Sequence, residues 1–294
     1  MRIGIDVGGT NTDAVLMDGL TVVSKIKTPT TADVTSGITT ALRHVLETSG
    51  TATGDISGVM IGTTHFTNAV VERKRLEPTA AVRLGLPATL ALPPMVDWPD
   101  DLAAVLGRHV YLCHGGHEFD GREISPLDPN EIRGVAREIA DKGITAIAVS
   151  SVFSPVNTEM EARAAAIIRE VIPEAQVTLS SDIGRVGLLE RENAAILNAC
   201  LRPLARETID AFRSSIADLG ITAPLYITQN DGTLMSAEFA EQYPVLTFAS
   251  GPTNSMRGAA FLSGLKDAMV VDVGGTTSDV GALTHGFPRE ASVA

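Results

Sequence analysis

The sequence predicts an α/β fold, a mixed sheet with flanking helices and inserted material, on the basis of three observations. Apolar strand-like segments alternate with helix-like segments along the 294 residues, which is the pattern of layered α/β proteins. Three strands, predicted at residues 2–7, 13–17 and 21–27, open the chain with tight turns between them. A Rossmann fold would instead place a helix directly after its first strand. The third observation is a glycine-rich turn near the start that recurs near the end of the sequence.

Periodicity and capping residues predict the remaining elements. Residues 32–48 should form a helix, because Ile38, Leu42 and Val45 fall on one face. Asp128 and Thr158 each precede a glutamate by three positions, which is the capping-box signature of a helix start. The other predicted elements are strands at 59–62, 144–152, 176–180, 225–228, 245–248 and 269–273, and helices at 190–219, interrupted or kinked at Pro203, and at 252–265.

Composition and charge exclude several classes of protein. The hydrophobic content of 44% allows a sizeable core, and the formal charge of −12 gives no basic surface for nucleic acid. No apolar run approaches the roughly 20 residues that a membrane helix needs, and the N-terminus does not resemble a signal peptide. With only two cysteines, we expect a cytoplasmic protein that binds neither nucleic acid nor membrane.

The most informative feature is the repeated glycine turn. Asp6-Val7-Gly8-Gly9-Thr10-Asn11-Thr12-Asp13 recurs as Asp272-Val273-Gly274-Gly275-Thr276-Thr277-Ser278-Asp279, and six of the eight positions are identical. Each copy lies between two apolar segments, so each is predicted to be a strand–turn–strand hairpin. One copy alone would be as well explained by an ordinary turn, but two copies in the same context favour a shared binding role.

The residues of this turn suit a polyphosphate. Paired glycines allow backbone conformations that are closed to other residues, and consecutive N–H groups in such a turn form an anion-binding nest. A carboxylate at the end of each strand is placed to hold Mg²⁺ or its waters beside the phosphates. The predicted phosphate contacts are Gly8, Gly9, Thr10, Asn11, Thr12, Gly274, Gly275, Thr276 and Thr277, with Asp6 and Asp272 as the catalytic and metal-binding pair.

Paired Asp-x-Gly-Gly-Thr hairpins resemble those of the actin, hexokinase and Hsp70 superfamily, and further motifs resemble the hydantoinase A / 5-oxoprolinase family within it. The segment 8–13 is similar to the family opening G-G-T-x-T-D, and 62–73 is similar to G-T-T-x-x-T-N-A-[LV]-[LV]-E-R. Ser250-Gly251-Pro252 is similar to the family S-G-P segment, and 272–279 to its second hairpin. Ile61 departs from the pattern, because many members have histidine there.

The resemblance implies an actin-like ATPase (ribonuclease H-like) fold and ATP-dependent hydrolysis of a cyclic amide, activated by phosphorylation of the amide oxygen. It implies ATP and Mg²⁺ as cofactors and a second, hydantoinase B-like subunit as partner. Thr63, Thr64, Thr67 and Asn68 become candidate substrate contacts, although an ordinary capped helix start explains them without the resemblance. It also implies an N-terminal region at 1–180 and the first part of a hydantoinase A/oxoprolinase domain at 190–294, truncated before the adenosine-binding segment.

Three alternatives remain open from the sequence. A ketone carboxylase subunit would use the same activation step, and a small-molecule kinase would release a phosphorylated product. A non-catalytic nucleotide-binding regulatory subunit would bind ATP without turnover.

Several other polar clusters are better explained without a site. His114, His117 and Asp120 have metal-ligand spacing but no compelling additional ligand, so a polar loop with two solvated imidazoles is favoured. Cys113 is a weak candidate for a Cys–His nucleophile, and Cys200 is predicted to lie in the core. The run at 190–193 is predicted to be a charged helix face, and the run at 229–232 a turn at a strand end.

Overall fold

The computed structural model describes residues 1–30, 34–273 and 278–289, and the chain forms two compact units. The first comprises Met1–Asn68 and Ala205–Ala294, and the second comprises Ala69–Leu204. The helices are α1 Val34–Ser49, α2 His65–Glu72, α3 Asp100–Val105, α4 Pro129–Asp141, α5 Glu159–Val171, α6 Leu188–Asp218, α7 Ala237–Gln242 and α8 Ser250–Ser263. The strands are β1 Arg2–Val7, β2 Asn11–Asp18, β3 Thr21–Pro29, β4 Gly58–Thr63, β5 Thr79–Leu86, β6 His109–His114, β7 Ala146–Ser151, β8 Gln176–Leu179, β9 Leu225–Thr228, β10 Leu234–Ser236, β11 Ala268–Val273, β12 Ser278–Thr284 and β13 Phe287–Pro288.

The first unit is built on a six-stranded mixed sheet with the strand order β10-β9-β4-β1-β2-β3. The central strands β9, β4 and β1 run parallel, and antiparallel hairpins extend the sheet at both edges. Ile3, Ile5 and Val7 of β1 pack on one face in a core shared with α1, α7 and the second half of α6. The alternate residues Gly4 and Asp6 face the other side, because successive side chains of a strand point to opposite faces. A separate antiparallel sheet, β11-β12-β13, packs against α8.

The second unit has a sheet of four parallel strands in the order β6-β5-β7-β8. Ala80, Val82 and Leu84 of β5 belong to the apolar core that also contains residues of α4 and α5. Arg83, on the opposite face of the same strand, meets Glu192 of α6. Both faces of this sheet are therefore covered, as is usual for parallel strands.

The predicted α/β architecture, with a mixed sheet and flanking helices, is confirmed. The helix start at Asp128 is also confirmed, since its Oδ1 accepts the Asn130 amide at 2.8 Å. The capping box at Thr158 is wrong: the side chain of Asn157 caps α5 instead, accepting the Glu159 amide at 2.9 Å.

Two predictions about local structure need correction. The strand predicted at 245–248 is wrong, because Pro244–Thr247 forms a 3₁₀ helix. The long helix predicted from 190 is confirmed as Leu188–Asp218, but the predicted interruption is absent because the chain stays helical through Pro203. A kink at Pro203 stays a prediction. The sequence reading also missed β5 and β6. Among the described residues, no helix combines the length and apolar composition that crossing a bilayer requires.

Candidate functional site

The two copies of the repeated motif form hairpins with the same register. In the first, Asp6 pairs with Asp13 and Val7 with Thr12 across β1 and β2. In the second, Asp272 pairs with Asp279, and Val273 with Ser278, across β11 and β12. The internal sequence repeat is therefore also a structural repeat, and each copy places an aspartate pair one step before its turn.

The first turn is closed and braced by backbone contacts. The Gly8 amide donates to the Asn11 carbonyl at 3.0 Å. Thr30, just after β3, donates its hydroxyl to the Gly8 carbonyl at 2.8 Å and its amide to the Thr10 carbonyl at 2.9 Å. The carbonyl and the following N–H of a trans peptide point in opposite directions, so the Gly9 N–H points away from Thr30. Gly9 and Thr10 are exposed, and this side of the turn is open to an anion.

The hydroxyl of Thr12 is placed differently from the rest of the predicted phosphate set. Thr12 is buried, and its Oγ1 lies 3.2 Å from Oγ1 of Thr30. In this arrangement Thr12 supports the turn from inside. The second turn, formed by Gly274, Gly275, Thr276 and Thr277, lies outside the described residues, so the phosphate contacts predicted for it remain a prediction.

A row of residues crosses the open face of the six-stranded sheet at Asp6. Asp13 lies opposite Asp6 on β2, and Gly62 lies opposite it on β4. These three residues line a cleft of about 700 Å³ together with Thr228 and Asn254. Neighbouring apolar residues of β1, β2 and β4 complete the floor, so the carboxylates lie at the edge of an apolar surface.

Gly62 is the point at which the polar groups of this cleft converge. A Cβ atom at Gly62 would lie 2.8 Å from Asn254 Nδ2, 2.9 Å from Asp6 Oδ1 and 3.3 Å from Thr228 Oγ1. Asn254 Nδ2 also donates to Thr228 Oγ1 at 3.1 Å. The missing side chain at Gly62 therefore leaves room for an amide, a carboxylate and a hydroxyl to approach one another. The sequence reading assigned a role neither to Asn254 nor to Gly62.

The carboxylate of Asp6 is electrostatically crowded. Its pKa is raised above the ordinary value, first because protein atoms of the cleft displace water, then because Asp13 and Asp272 carry the same charge. Lys27 opposes this rise, and its Nζ lies 3.6 Å from Asp13 Oδ2. The Asp6 side chain is nevertheless exposed, so its desolvation is only partial. The turns themselves contain no cation, but β3 supplies one, which the sequence reading missed.

Asp272 is held from α8 and belongs to the same electrostatic environment. Its Oδ2 accepts a hydrogen bond from Ser255 Oγ at 2.6 Å. Its side chain is exposed, and its charge contributes to the raised pKa of Asp6. The two predicted catalytic aspartates are therefore brought near one another, on separate sheets of the same unit.

The predicted substrate residues follow β4 directly. Thr63 Oγ1 accepts the His65 amide at 3.1 Å, so Thr63 caps α2, whereas Thr67 and Asn68 lie inside the helix and do not cap it. Asn68 Nδ2 donates to Thr64 Oγ1 at 3.3 Å, and the same nitrogen would lie 3.9 Å from a Cβ at Gly9. Asn68 thus lies beside the first turn. Thr67 precedes it on a different side of the helix, since neighbouring helical residues point about 100° apart.

The donor atoms of this cleft fit Mg²⁺ with a phosphate ligand. The carboxylates of Asp6 and Asp13 and the hydroxyl of Thr228 supply oxygen atoms, the ligand type that Mg²⁺ prefers. In the described part of the chain, no three histidine, cysteine or acidic side chains cluster closely enough to hold a metal by themselves. Mg²⁺ at phosphate sites typically uses one or two carboxylates and completes its shell with water and phosphate oxygens.

Comparison with known proteins gives the family. The sequence profile described as the hydantoinase/oxoprolinase N-terminal region matches residues 2–172, and the profile described as hydantoinase/oxoprolinase matches residues 191–293. The chain belongs to the hydantoinase/oxoprolinase family. The resemblance seen in the sequence motifs is thereby confirmed, and the fold is that of the actin-like ATPases.

Relatives in this family have different named activities. The chain is 27% identical to caprolactamase subunit alpha of Pseudomonas jessenii, over 95% of this chain and 43% of the relative. It is also 27% identical to the acetophenone carboxylase gamma subunit of Aromatoleum aromaticum, over 98% and 43% respectively. The crystal structure of the ATP-dependent caprolactamase from Pseudomonas jessenii superposes with a TM-score of 0.79 at 26% identity, over 96% of this chain and 43% of that one. The chain therefore spans less than half the length of these relatives.

The structure also describes the other polar clusters of this hydantoinase/oxoprolinase chain, two of which were predicted incorrectly from sequence. His114 ends β6 and is bound by Glu131, with Nδ1 3.1 Å from Oε1. His117 is buried, so the prediction of two solvated imidazoles is wrong for it. Cys113 is buried, and burial raises its pKa to about 12, which opposes a nucleophilic role. Cys200 lies in the core, as predicted.

The run at 190–193 is not a charged helix face, because Arg191 and Glu192 are buried. Glu192 Oε1 accepts hydrogen bonds from Arg83 Nε at 2.8 Å and Ser150 Oγ at 2.6 Å. Arg191 Nε donates to Ser180 Oγ at 2.8 Å. These contacts attach α6 to the parallel sheet of the second unit. The turn predicted at 229–232 is confirmed, with Gly232 at φ 84°.

Proposed function

We propose that the protein uses ATP to activate the carbonyl oxygen of a small molecule at the cleft beside Asp6 and Asp272, and that a cyclic amide is its substrate. The observation that carries the proposal is the repeated hairpin, with the same register in both copies and an aspartate at the same position of each. Two hairpins of this kind would hold a polyphosphate from two sides.

The chain's own residues have two roles in this proposal: they bind the phosphates, and they place charged groups around them. The backbone N–H groups of the turns bind phosphate oxygens, and the Asp6 and Asp272 carboxylates orient the bound cation or its waters. When bound, Mg²⁺ offsets the charge of the phosphates and of the two carboxylates. Lys27 lies beside Asp13 and lowers the electrostatic repulsion between Asp13 and Asp6.

The proposed reaction balances in three steps. The amide oxygen attacks the γ-phosphorus, so an O–P bond forms while the bond to ADP breaks. Two waters then complete the hydrolysis: the first adds to the activated carbon and the ring nitrogen leaves as an amine, which gives an acyl phosphate. The second water hydrolyses the acyl phosphate, so the products are a ring-opened amino acid, ADP and phosphate. Thr64 and Asn68, beside the first turn, are the proposed substrate contacts, and a hydantoinase B-like subunit is the proposed partner for the hydrolytic step.

A ketone carboxylase is the second candidate, because one relative is an acetophenone carboxylase subunit. Its activation step would phosphorylate an enol oxygen instead of an amide oxygen. The two functions differ in product and in their requirement for bicarbonate.

The test is to purify the whole encoded protein with its partner subunit and to measure ADP release with caprolactam, hydantoin, 5-oxoproline or acetophenone with bicarbonate. We expect ADP release to rise with a cyclic amide and an equivalent amount of ring-opened acid to form. Asp272→Asn should reduce turnover by a factor on the order of 10² or more, with an unchanged melting temperature. Bicarbonate-dependent ketoacid formation would support the carboxylase. ATP binding without any turnover would contradict both.

A further inference from the structure

The second turn of helix α8 contacts the surroundings of both predicted catalytic aspartates. Asn254 Nδ2 lies beside Asp6 at the Gly62 gap and donates to Thr228. The next residue, Ser255, donates its hydroxyl to Asp272 at 2.6 Å. Neighbouring helical residues point about 100° apart, so one turn of α8 can contact residues of two sheets.

The helix is fixed on both sides of this turn. Thr253 Oγ1 donates to the Asn230 carbonyl at 2.9 Å, which ties α8 to the turn after β9 in the six-stranded sheet. Arg257 Nη1 donates to the Gly286 carbonyl at 2.8 Å, and its guanidinium lies 4.4 Å from the Phe287 ring centre. These contacts tie α8 to the turn between β12 and β13. The contacts on either side of Asn254 and Ser255 therefore fix the distance between the two sheets at this turn of α8.

We propose that Asn254 and Ser255 are positioning residues that hold Asp6 and Asp272 at the spacing required by one shared divalent cation. This inference rests on the proposed function, since it assumes that the two aspartates act on one metal–nucleotide complex. Asn254 acts from the Gly62 gap, where an added carboxylate or an empty space would change the surroundings of Asp6. Ser255 acts by fixing the rotamer of Asp272, whose side chain is otherwise exposed.

Ser255→Ala is the first test, and Ser263→Ala is its matched control. Ser263 lies on the same helix, but its hydroxyl donates to the Ala259 carbonyl at 2.7 Å and lies outside the cleft lining. Mn²⁺ binding in the presence of ADP is measured by electron paramagnetic resonance on the whole encoded protein. Loss of one hydrogen bond to a carboxylate should weaken Mn²⁺ binding about tenfold in Ser255→Ala, and Ser263→Ala should match the wild type.

Two further measurements separate loss of the Ser255 hydroxyl from a general structural effect of the substitution. Ser255→Thr keeps the hydroxyl, so it should restore Mn²⁺ affinity. In turnover, Ser255→Ala should raise the Mg²⁺ concentration for half-maximal rate, while the KM for ATP at saturating Mg²⁺ stays the same. Equal Mn²⁺ affinity in Ser255→Ala and wild type, or equal weakening in Ser263→Ala, would overturn the role of Ser255.

Asn254→Ala tests the other half of the turn by the same Mn²⁺ titration. The change removes the amide that lies beside Asp6 at the Gly62 gap and donates to Thr228, so Mn²⁺ binding should weaken about tenfold. Unchanged Mn²⁺ affinity in Asn254→Ala would contradict the role of Asn254. Wild-type protein that binds neither Mn²⁺ nor ADP would refute the proposed function itself. A wild type that binds both, with unaffected variants, would refute only this inference.

Discussion

Replacement of Gly62 by alanine is a sharp test of the cleft, because the change is one methyl group at the point where the polar groups converge. The added Cβ would lie 2.8 Å from Asn254 Nδ2 and 2.9 Å from Asp6 Oδ1, whereas ordinary contact begins at 3.4 Å. Each of these atoms must therefore move by about half an ångström, since dense packing leaves no slack for such an overlap. Both belong to side chains that rotate, so we expect them to move away from each other.

The expected cost to stability is moderate and the expected cost to activity is large. Each off-rotamer side chain costs about 0.5–1.5 kcal/mol, and alanine recovers about 0.4–1 kcal/mol by restricting the unfolded chain. Because two side chains move, the free energy of unfolding should fall by about 0–2.6 kcal/mol. Displacement of a catalytic carboxylate by a fraction of an ångström to 1 Å can reduce turnover by about 10²-fold.

Gly58→Ala is the control for this measurement. Gly58 lies on the same strand and on the same face as Gly62, but its Cβ would meet only Tyr226 at 3.8 Å and Met60 at 3.9 Å. Substrate-stimulated ADP release and urea unfolding are measured for both variants. Normal turnover in a well-folded Gly62→Ala protein, or an equal loss in Gly58→Ala, would refute the assignment of this cleft as the reaction site.

Three further outcomes follow from charge and burial. Because the pKa of Asp6 is raised in the folded protein, the contribution of Asp6 to stability should fall as the pH rises from below 3.8 through that raised pKa. Asp6→Asn should therefore melt at a higher temperature than the wild type near pH 7, and this difference should disappear below pH 3.8. Glu192→Ala should lower the free energy of unfolding by about 3–5 kcal/mol, because it leaves Arg83 buried without its partner, whereas Arg83→Met with Glu192→Leu should recover most of the loss in urea titrations. Burial raises the pKa of both cysteines to about 12, so neither should react with Ellman's reagent at pH 8 until the protein unfolds, and rapid reaction of a native thiol would contradict this.

Local sequence was sufficient to predict the hairpins but insufficient to predict the cleft. Each glycine turn is defined by residues adjacent in the chain, so the repeat at Asp6 and Asp272 could be recognised without knowledge of the fold. The convergence of Gly62, Thr228 and Asn254 depends on two strands and a helix that are distant in sequence. The hydrophobic periodicity of a sequence does not show which distant residues come together in the fold. Each of these three residues alone has an ordinary explanation as a strand or helix residue.

Similar reasons explain the errors in the second unit. The strand β5 is buried along almost its whole length, so it lacks the alternation that marks a half-exposed strand. Arg83 within it suggests exposure, although it is buried against Glu192. For the same reason Arg191 and Glu192 suggest a solvated helix face. Charged residues are almost never fully buried unless paired, and a partner on another element cannot be seen in the sequence. The division of the sequence at 1–180 and 190–294 describes regions of the chain and remains a prediction.

The order of the two units along the chain has a consequence for synthesis on the ribosome. The apolar core of the second unit uses residues 80–177, all from one continuous stretch. The core of the first unit uses residues 3–61 together with 209–240. A chain is synthesised from its N-terminus. All the core residues of the second unit are therefore available before β9 is made and can pair with β4. We therefore expect the second unit to fold before the six-stranded sheet of the first unit is complete, because β9, the strand that pairs with β4, is synthesised after the whole core of the second unit.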